Sequence, residues 1–336
     1  MRKAGYDLAR IAAIAAAVLV HTVMLFWDFD PAVPTWAVYN YLSLTGHFCI
    51  PLFFMISGAL LLGRERLDFR RCLRRILHLV LLFYVWSVLC RLIDAACGRV
   101  WMDGTPLVLL ILQGYYHLWF LPALALCCCA LPLLHGAIHG GADNLRRGAL
   151  LLFFVVLALA VLDALPDKPD WLSALLSPWR LSHFRYLIYF LLGRLLTRRT
   201  LSARALTALG LAALAALLLT AFLNRRAALA AGRAVDVYYG YLTPSAALGA
   251  CFVFALCRRL APWAEKRAAT LQTLAGCTLG VYLLHPVFID LLRGRVDFAA
   301  HSAVWLFPAS YLAVVLIPLG LTLLLKKIPL LNKLVT

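Results

Sequence analysis

Charged residues are scarce in this 336-residue chain: Asp, Glu, Lys and Arg together make up 14%, against 64% hydrophobic residues and a mean hydropathy of +0.88. That scarcity excludes the two soluble domains the length alone would suggest and defines a polytopic membrane protein. Acidic residues are scarcer still, 15 against 32 Lys and Arg, giving a net charge of +17. A basic excess can mark nucleic-acid binding, but here the cations fall mostly between apolar runs, so they read as membrane-topology signals and no nucleic-acid partner is expected. Also missing are a Gly-x-Ser-x-Gly elbow, a phosphate-binding glycine loop and a His-Glu-x-x-His pair, and with them the motif-based hydrolase, nucleotide and metalloprotease readings. No connecting segment is long enough for a soluble domain and no internal repeat stands out, so any chemistry must use spans and short loops. The ten cysteines lack paired metal spacing: Cys127, Cys128 and Cys129 are adjacent in an apolar run, and Cys49, Cys90, Cys251 and Cys277 lie in or beside others. They read as small buried hydrophobes.

Apolar runs of about 17 to 25 residues, the length that crosses a bilayer, occur at 8–27, 45–62, 76–93, 117–135, 149–165, 181–196, 205–223, 237–257, 270–290 and 304–325. They predict an all-α fold of about ten transmembrane helices in a single integral membrane domain, 1–336. The run at 106–114 is too short to span and reads as an interfacial or re-entrant piece. Arg2 and Lys3 before the first run look like a secretory signal, but the many later spans favour an uncleaved signal anchor. Ten spans put both termini on one side, and the basic residues divide 22 to 10 in favour of that side. The positive-inside rule therefore places both termini in the cytoplasm. Arg225, Arg226 and Arg233, in a predicted loop on the opposite side, run against the rule.

Two ionisable residues sit inside the first run. Arg10 and His21 are 11 apart, about 1100° of helical rotation, so they share a face roughly 16 Å apart along the axis. Ionisable groups in hydrocarbon are costly and mark functional positions by default, the alternative being a His bonded to a neighbouring helix for packing alone. The segment RERLDFRRCLRRIL, 64–77, puts Arg71, Arg74 and Arg75 on one helix face, which suits either anionic lipid headgroups or a polyphosphate gripped by arginine forks. Trp119, within the Tyr116–Pro122 segment, lies where a span enters the interface, as a site residue or as part of an aromatic belt. In TLGVYLLHPVF, 278–288, Gly276 and Gly280 form a small-residue packing face, and His285 before Pro286 either lines a cavity or packs structurally. His135 and His139 suggest a metal pair at i, i+4, yet Gly136, Gly140 and Gly141 predict a loop, no third ligand is evident, and no metal is expected.

These stretches together resemble the acyltransferase-3 family of bacterial integral membrane acyltransferases. The likeness rests on Asp7-Leu8-Ala9-Arg10 followed by His21, on PLFFMISG from Pro51, on the Arg71, Arg74 and Arg75 cluster, on HLWFLPAL from His117, on YFLLGRLL from Tyr189 and on GVYLLHP from Gly280. The resemblance implies a multi-pass protein of the bacterial inner membrane that moves an acyl group, most often acetyl, from acyl-CoA to a hydroxyl of a glycan or lipid-linked saccharide. It makes His21 the catalytic residue paired with Arg10, and the arginines after the second span the CoA-phosphate site, with Arg71/Arg74 and Arg71/Arg75 as competing alignments. Acyl-CoA is then the donor substrate, with no bound cofactor. The chain looks like the short form without an esterase-like extracytoplasmic domain, and His47 has no counterpart in the family pattern.

In that light His21 either takes the proton of the acceptor hydroxyl or carries the acyl group covalently. Arg10 orients an acidic partner such as Asp7 or stabilises charge on the thioester oxygen. The rival reading is a transporter or flippase for a glycolipid or anionic solute, with Arg10, His21 and His285 lining a permeation path.

Overall fold

The computed structural model describes residues 4–26, 34–98, 104–198, 200–235, 237–298 and 303–335. Among them there are helices and no strands. In chain order the helices are α1 (Ala4–Val23), α2 (Pro34–Gly46), α3 (Cys49–Leu61), α4 (Phe69–Ala96), α5 (Leu107–Gln113), α6 (Phe120–His139), α7 (Ala142–Ala164) and α8 (Asp170–Leu176). They continue with α9 (Leu187–Leu196), α10 (Ala203–Ala231), α11 (Pro244–Arg259), α12 (Ala261–Glu265), α13 (Ala268–Ala275), α14 (Thr278–Arg293), α15 (Ala303–Leu325) and α16 (Pro329–Val335).

Local chemistry sets many of these boundaries. Asp68 caps α4 by accepting from the amides of Arg70 and Arg71, Ser202 caps α10 through the Ala205 amide, and Thr243 caps α11 with Pro244 at its start. Gly140 and Gly232 end α6 and α10 at φ of 73° and 63°, the left-handed conformation that favours glycine.

Among the described residues, seven segments are long and apolar enough to cross a membrane, counting α2 with α3 and α5 with α6, and α13 with α14 makes an eighth if that pair, bent by 49°, is one span. This is a multi-pass membrane protein. The expected runs at 181–196 and 237–257 coincide with the shorter helices α9, led by a 3-10 helix at Leu181–Tyr186, and α11, led by turns. Large apolar side chains such as Phe154 (61% exposed) and Trp305 (78%) face outward from α7 and α15, as lipid-facing helices require because lipid takes the place of water there. Three buried hydroxyls are satisfied within their own helices: Thr22 donates to Val18 O (2.8 Å), Ser87 to Phe83 O (2.6 Å) and Thr322 to Pro318 O (2.7 Å).

The chain divides into two compact units, residues 1–56 with 195–336, and residues 57–194. In the first, α1 is the central helix, packed by α2, α11, α12, α13, α14 and α15. Its small residues allow this. A Cβ at Gly5 would come within 2.9 Å of Cys257 O, and one at Gly46 of α2 within 2.5 Å of Val20 and 2.8 Å of Ala16 O on α1. The second unit is built on α6, buried almost throughout, with α4 and α7 beside it. Cys127, Cys128 and Cys129 are buried there as free thiols.

The α6–α7 hairpin interlocks through glycine. A Cβ on Gly148 would land on the backbone of Leu133, and one on Gly136 would meet the Leu145 nitrogen at 2.5 Å. Because the obstacles are backbone atoms, they have little room to yield. Gly148→Ala is expected to cost about 1–3 kcal/mol by overpacking, read as a lower thermal midpoint in detergent. Gly141→Ala, whose Cβ would meet nothing closer than 3.9 Å, should leave the midpoint nearly unchanged.

Two sequence expectations are corrected here. His135 and His139 lie on helix α6 and not in a loop, because Gly136 serves the close approach of α7, and only Gly140 ends the helix. Arg225 and Arg226 lie on α10, which continues past the apolar run to Ala231. Arg233 alone of the three follows the helix.

Candidate active site

In the first unit Asp7 and Arg10 are one helical turn apart on α1, and Arg10 Nη1 donates to Asp7 Oδ1 at 3.1 Å. The carboxylate is almost wholly buried while the guanidinium keeps about a quarter of its surface exposed, so Asp7 holds the arginine in place and leaves part of it accessible. Three turns further on, His21 meets His285 of α14, ring centroid to ring centroid, at 5.1 Å. Gly280 lets α14 approach α15 closely, since a Cβ there would run into the Thr322 side chain. Lys326 donates to Gly276 O at 3.2 Å, at the break between α13 and α14.

His285 is fully buried, and its Nδ1 lies 3.0 Å from Val281 O. A carbonyl oxygen can only accept, so in the neutral ring Nδ1 carries the proton and Nε2 the lone pair. Thus Asp7, Arg10, His21 and His285 belong to one unit, on α1 and the helix beside it.

A fifth polar residue joins them. His47 occupies the turn between α2 and α3, is 5% exposed, and donates from Nδ1 to Ser43 O at 2.8 Å. Gly46, just before it, packs against Ala16 and Val20 of α1, in the turn that leads to His21. Its ring lies against Tyr239 at 5.2 Å and Tyr241 at 5.5 Å. Tyr239 donates its hydroxyl to Asn40 Oδ1, Asn224 donates to the same oxygen at 2.9 Å, and Asn40 donates to Ala221 O at 3.2 Å. This fully buried amide pair ties α2 to α10 and steadies the turn that holds His47. An ionisable residue inside the apolar run at 45–62 was the sequence signal for it.

In the second unit the arginine cluster occupies the first two turns of α4. Arg71, Arg74 and Arg75 are exposed, Arg71 lies 3.9 Å from Asp68, and Arg75 lies beside the Cys128 thiol on α6. Cations at a helix N-terminus oppose the macrodipole, a cost that an anion bound there would offset. The loop leading into the cluster is pinned by three side chains. His135 donates from Nε2 to Arg64 O (2.9 Å), His139 from Nε2 to Leu62 O (3.0 Å), and Asn144 to Leu67 O (3.3 Å). The two imidazoles stack at 4.4 Å. That gives both histidines a role as loop anchors, and among the described residues no group of three or more His, Cys, Asp or Glu could hold a metal ion. Trp119 stacks on His183 at 6.0 Å and lies 5.8 Å from Tyr186.

The sequence model of the acyltransferase 3 family, described as an acyltransferase domain, matches residues 3–326. The chain therefore belongs to the acyltransferase 3 family. It is also similar, at 32% identity over 132 residues, to an amino-acid racemase of Enterococcus faecalis; the match covers 36% of this chain and 18% of that protein, so the chain spans about a fifth of the racemase's length. No solved structure matches the chain.

Proposed function

We propose that the chain moves an acyl group, acetyl in the first instance, from acyl-CoA to a hydroxyl of a cell-surface glycan or lipid-linked saccharide at the bacterial inner membrane. The observation that carries this reading is His21 on the central helix, set against His285, with the Asp7–Arg10 pair on the same helix. A hydroxyl is a poor nucleophile near neutral pH, and an imidazole with a reference pKa of about 6.5 is suited to take its proton or to carry the acyl group. Arg10, held by Asp7, stabilises the negative charge that develops on the thioester oxygen.

The CoA phosphates are assigned to Arg71 and Arg74. Arg71 and Arg74, three residues apart on α4 and both exposed, can fork onto one phosphate group. Arg75 steadies the start of α4, and Trp119 belongs to the supporting aromatic group. The test is the mass of the surface glycan: acetyl-ester increments should be present in cells carrying the gene and absent in cells lacking it. A transporter of a glycolipid or anionic solute would leave those increments unchanged.

This function needs the Arg71 and Arg74 cluster on the cytoplasmic face, because CoA is cytosolic, and we place both termini on that same side. Reporter fusions after Arg75, Arg204 and Lys327 are expected to report cytoplasm, and those after Lys168 and Arg295 the opposite face. A periplasmic signal after Arg75 would remove the CoA-site assignment.

A further inference from the structure

We propose that His47 is the base that deprotonates the acceptor hydroxyl, leaving His21 to carry the acyl group; this rests on the reading of the chain as a His21-dependent acyltransferase. Three observations on the first unit lead to it. Gly46 lets α2 touch α1 at Ala16 and Val20, so the residue that follows, His47, emerges beside the turn of α1 that holds His21. The Ser43 carbonyl fixes the His47 proton on Nδ1, which leaves the Nε2 lone pair available as a base. Two tyrosines, with Asn40 and Asn224 behind Tyr239, hold the ring in that orientation.

His285 has the same tautomer but differs in access. It is fully buried, whereas His47, itself 5% exposed, lies against Tyr239 and Tyr241, both partly exposed. An acceptor can approach from the His47 side. The arrangement divides the reaction between two imidazoles instead of asking one to be both nucleophile and base.

The steps balance. A neutral His21 nitrogen attacks the thioester carbonyl, the N–C bond forms, the C–S bond breaks, and CoA leaves as the thiolate. The acceptor oxygen then attacks the acyl carbon of the acyl-imidazolium, its proton passes to His47 Nε2, and the C–N pair returns to His21 as the ester forms. Transfer of that proton from His47 to the CoA thiolate, directly or through water, regenerates both residues.

The test uses the full chain in membrane vesicles with labelled acetyl-CoA and two nucleophiles: the native membrane glycan, whose hydroxyl needs a base, and hydroxylamine, whose neutral nitrogen does not. His47→Asn keeps an N–H for the Ser43 carbonyl and removes the base, and His47→Gln leaves an oxygen that accepts a hydrogen bond without taking a proton. Both variants are expected to lose about 100-fold or more in glycan acetylation, the low end of what a general base contributes, while making acetohydroxamate within about 3-fold of the unmodified chain. Glycan acetylation that survives in both variants overturns the assignment. So does an equal loss of both products in protein that inserts and binds acetyl-CoA normally, because that places His47 before acyl transfer. Acetohydroxamate from His21→Ala, or neither product from the unmodified chain, would instead defeat the underlying reading of His21.

Discussion

His21→Ala is expected to abolish acyl transfer while the protein inserts and folds as before. Alanine is at home in α1, which already carries Ala12, Ala13, Ala15, Ala16 and Ala17, and the lost tertiary contact is the ring contact with His285. Removal of a general acid–base group alone lowers rates by about 10²–10⁴, and if His21 also carries the acyl group no alternative route through the enzyme remains. His21→Gln, which can hydrogen-bond but does not titrate, should be as inactive. In the unmodified chain transfer should fall as pH drops through the folded-state pKa of His21, since an imidazolium has no lone pair with which to attack or accept a proton. Near-normal transfer by correctly inserted His21→Ala protein would return this residue to a packing role and make His285 the next residue to test.

The second large effect is expected at the arginines that begin α4. Removing one charge-assisted hydrogen bond costs about 1.5–3 kcal/mol, so replacing both Arg71 and Arg74 by alanine should weaken acyl-CoA binding by about two to four orders of magnitude, measured as KM or by direct titration. Arg71→Lys with Arg74→Lys keeps the charge and hence the topology signal but loses the planar fork. That pair should show an intermediate loss, with kcat changed less than KM. Unchanged CoA affinity in the lysine variants would assign the cluster to lipid headgroups. Arg75→Lys should have the smaller effect.

How much of this could be read from residue order differs by feature. The long apolar helices were legible because hydropathy reports bilayer thickness, and Asp68, Ser202 and Thr243 are recognisable caps. Helix ends were less so. The apolar run of α10 stops at Leu223, yet the helix continues through Asn224 to Ala231, because Asn224 is buried against Asn40 and helix length need not match the hydrophobic stretch. Gly136 suggested a loop around His135 and His139, while its reason is tertiary: it lets Leu145 of α7 come close. The pattern of Asp7, Arg10 and His21 was legible as spacing on one helix. The placement of His47 beside them was not, since it depends on Gly46 meeting α1 and on Tyr239 and Tyr241, nearly two hundred residues later in the chain, closing on the ring.

The most direct test of the central claim is a stoichiometry. Purified protein reconstituted in liposomes with labelled acetyl-CoA and bacterial membrane glycan should release one CoA thiol for each acetyl ester formed, and the His21→Ala protein should release none above background. Solute crossing the bilayer with no CoA thiol released, or thiol release that is the same with alanine at position 21, would contradict it.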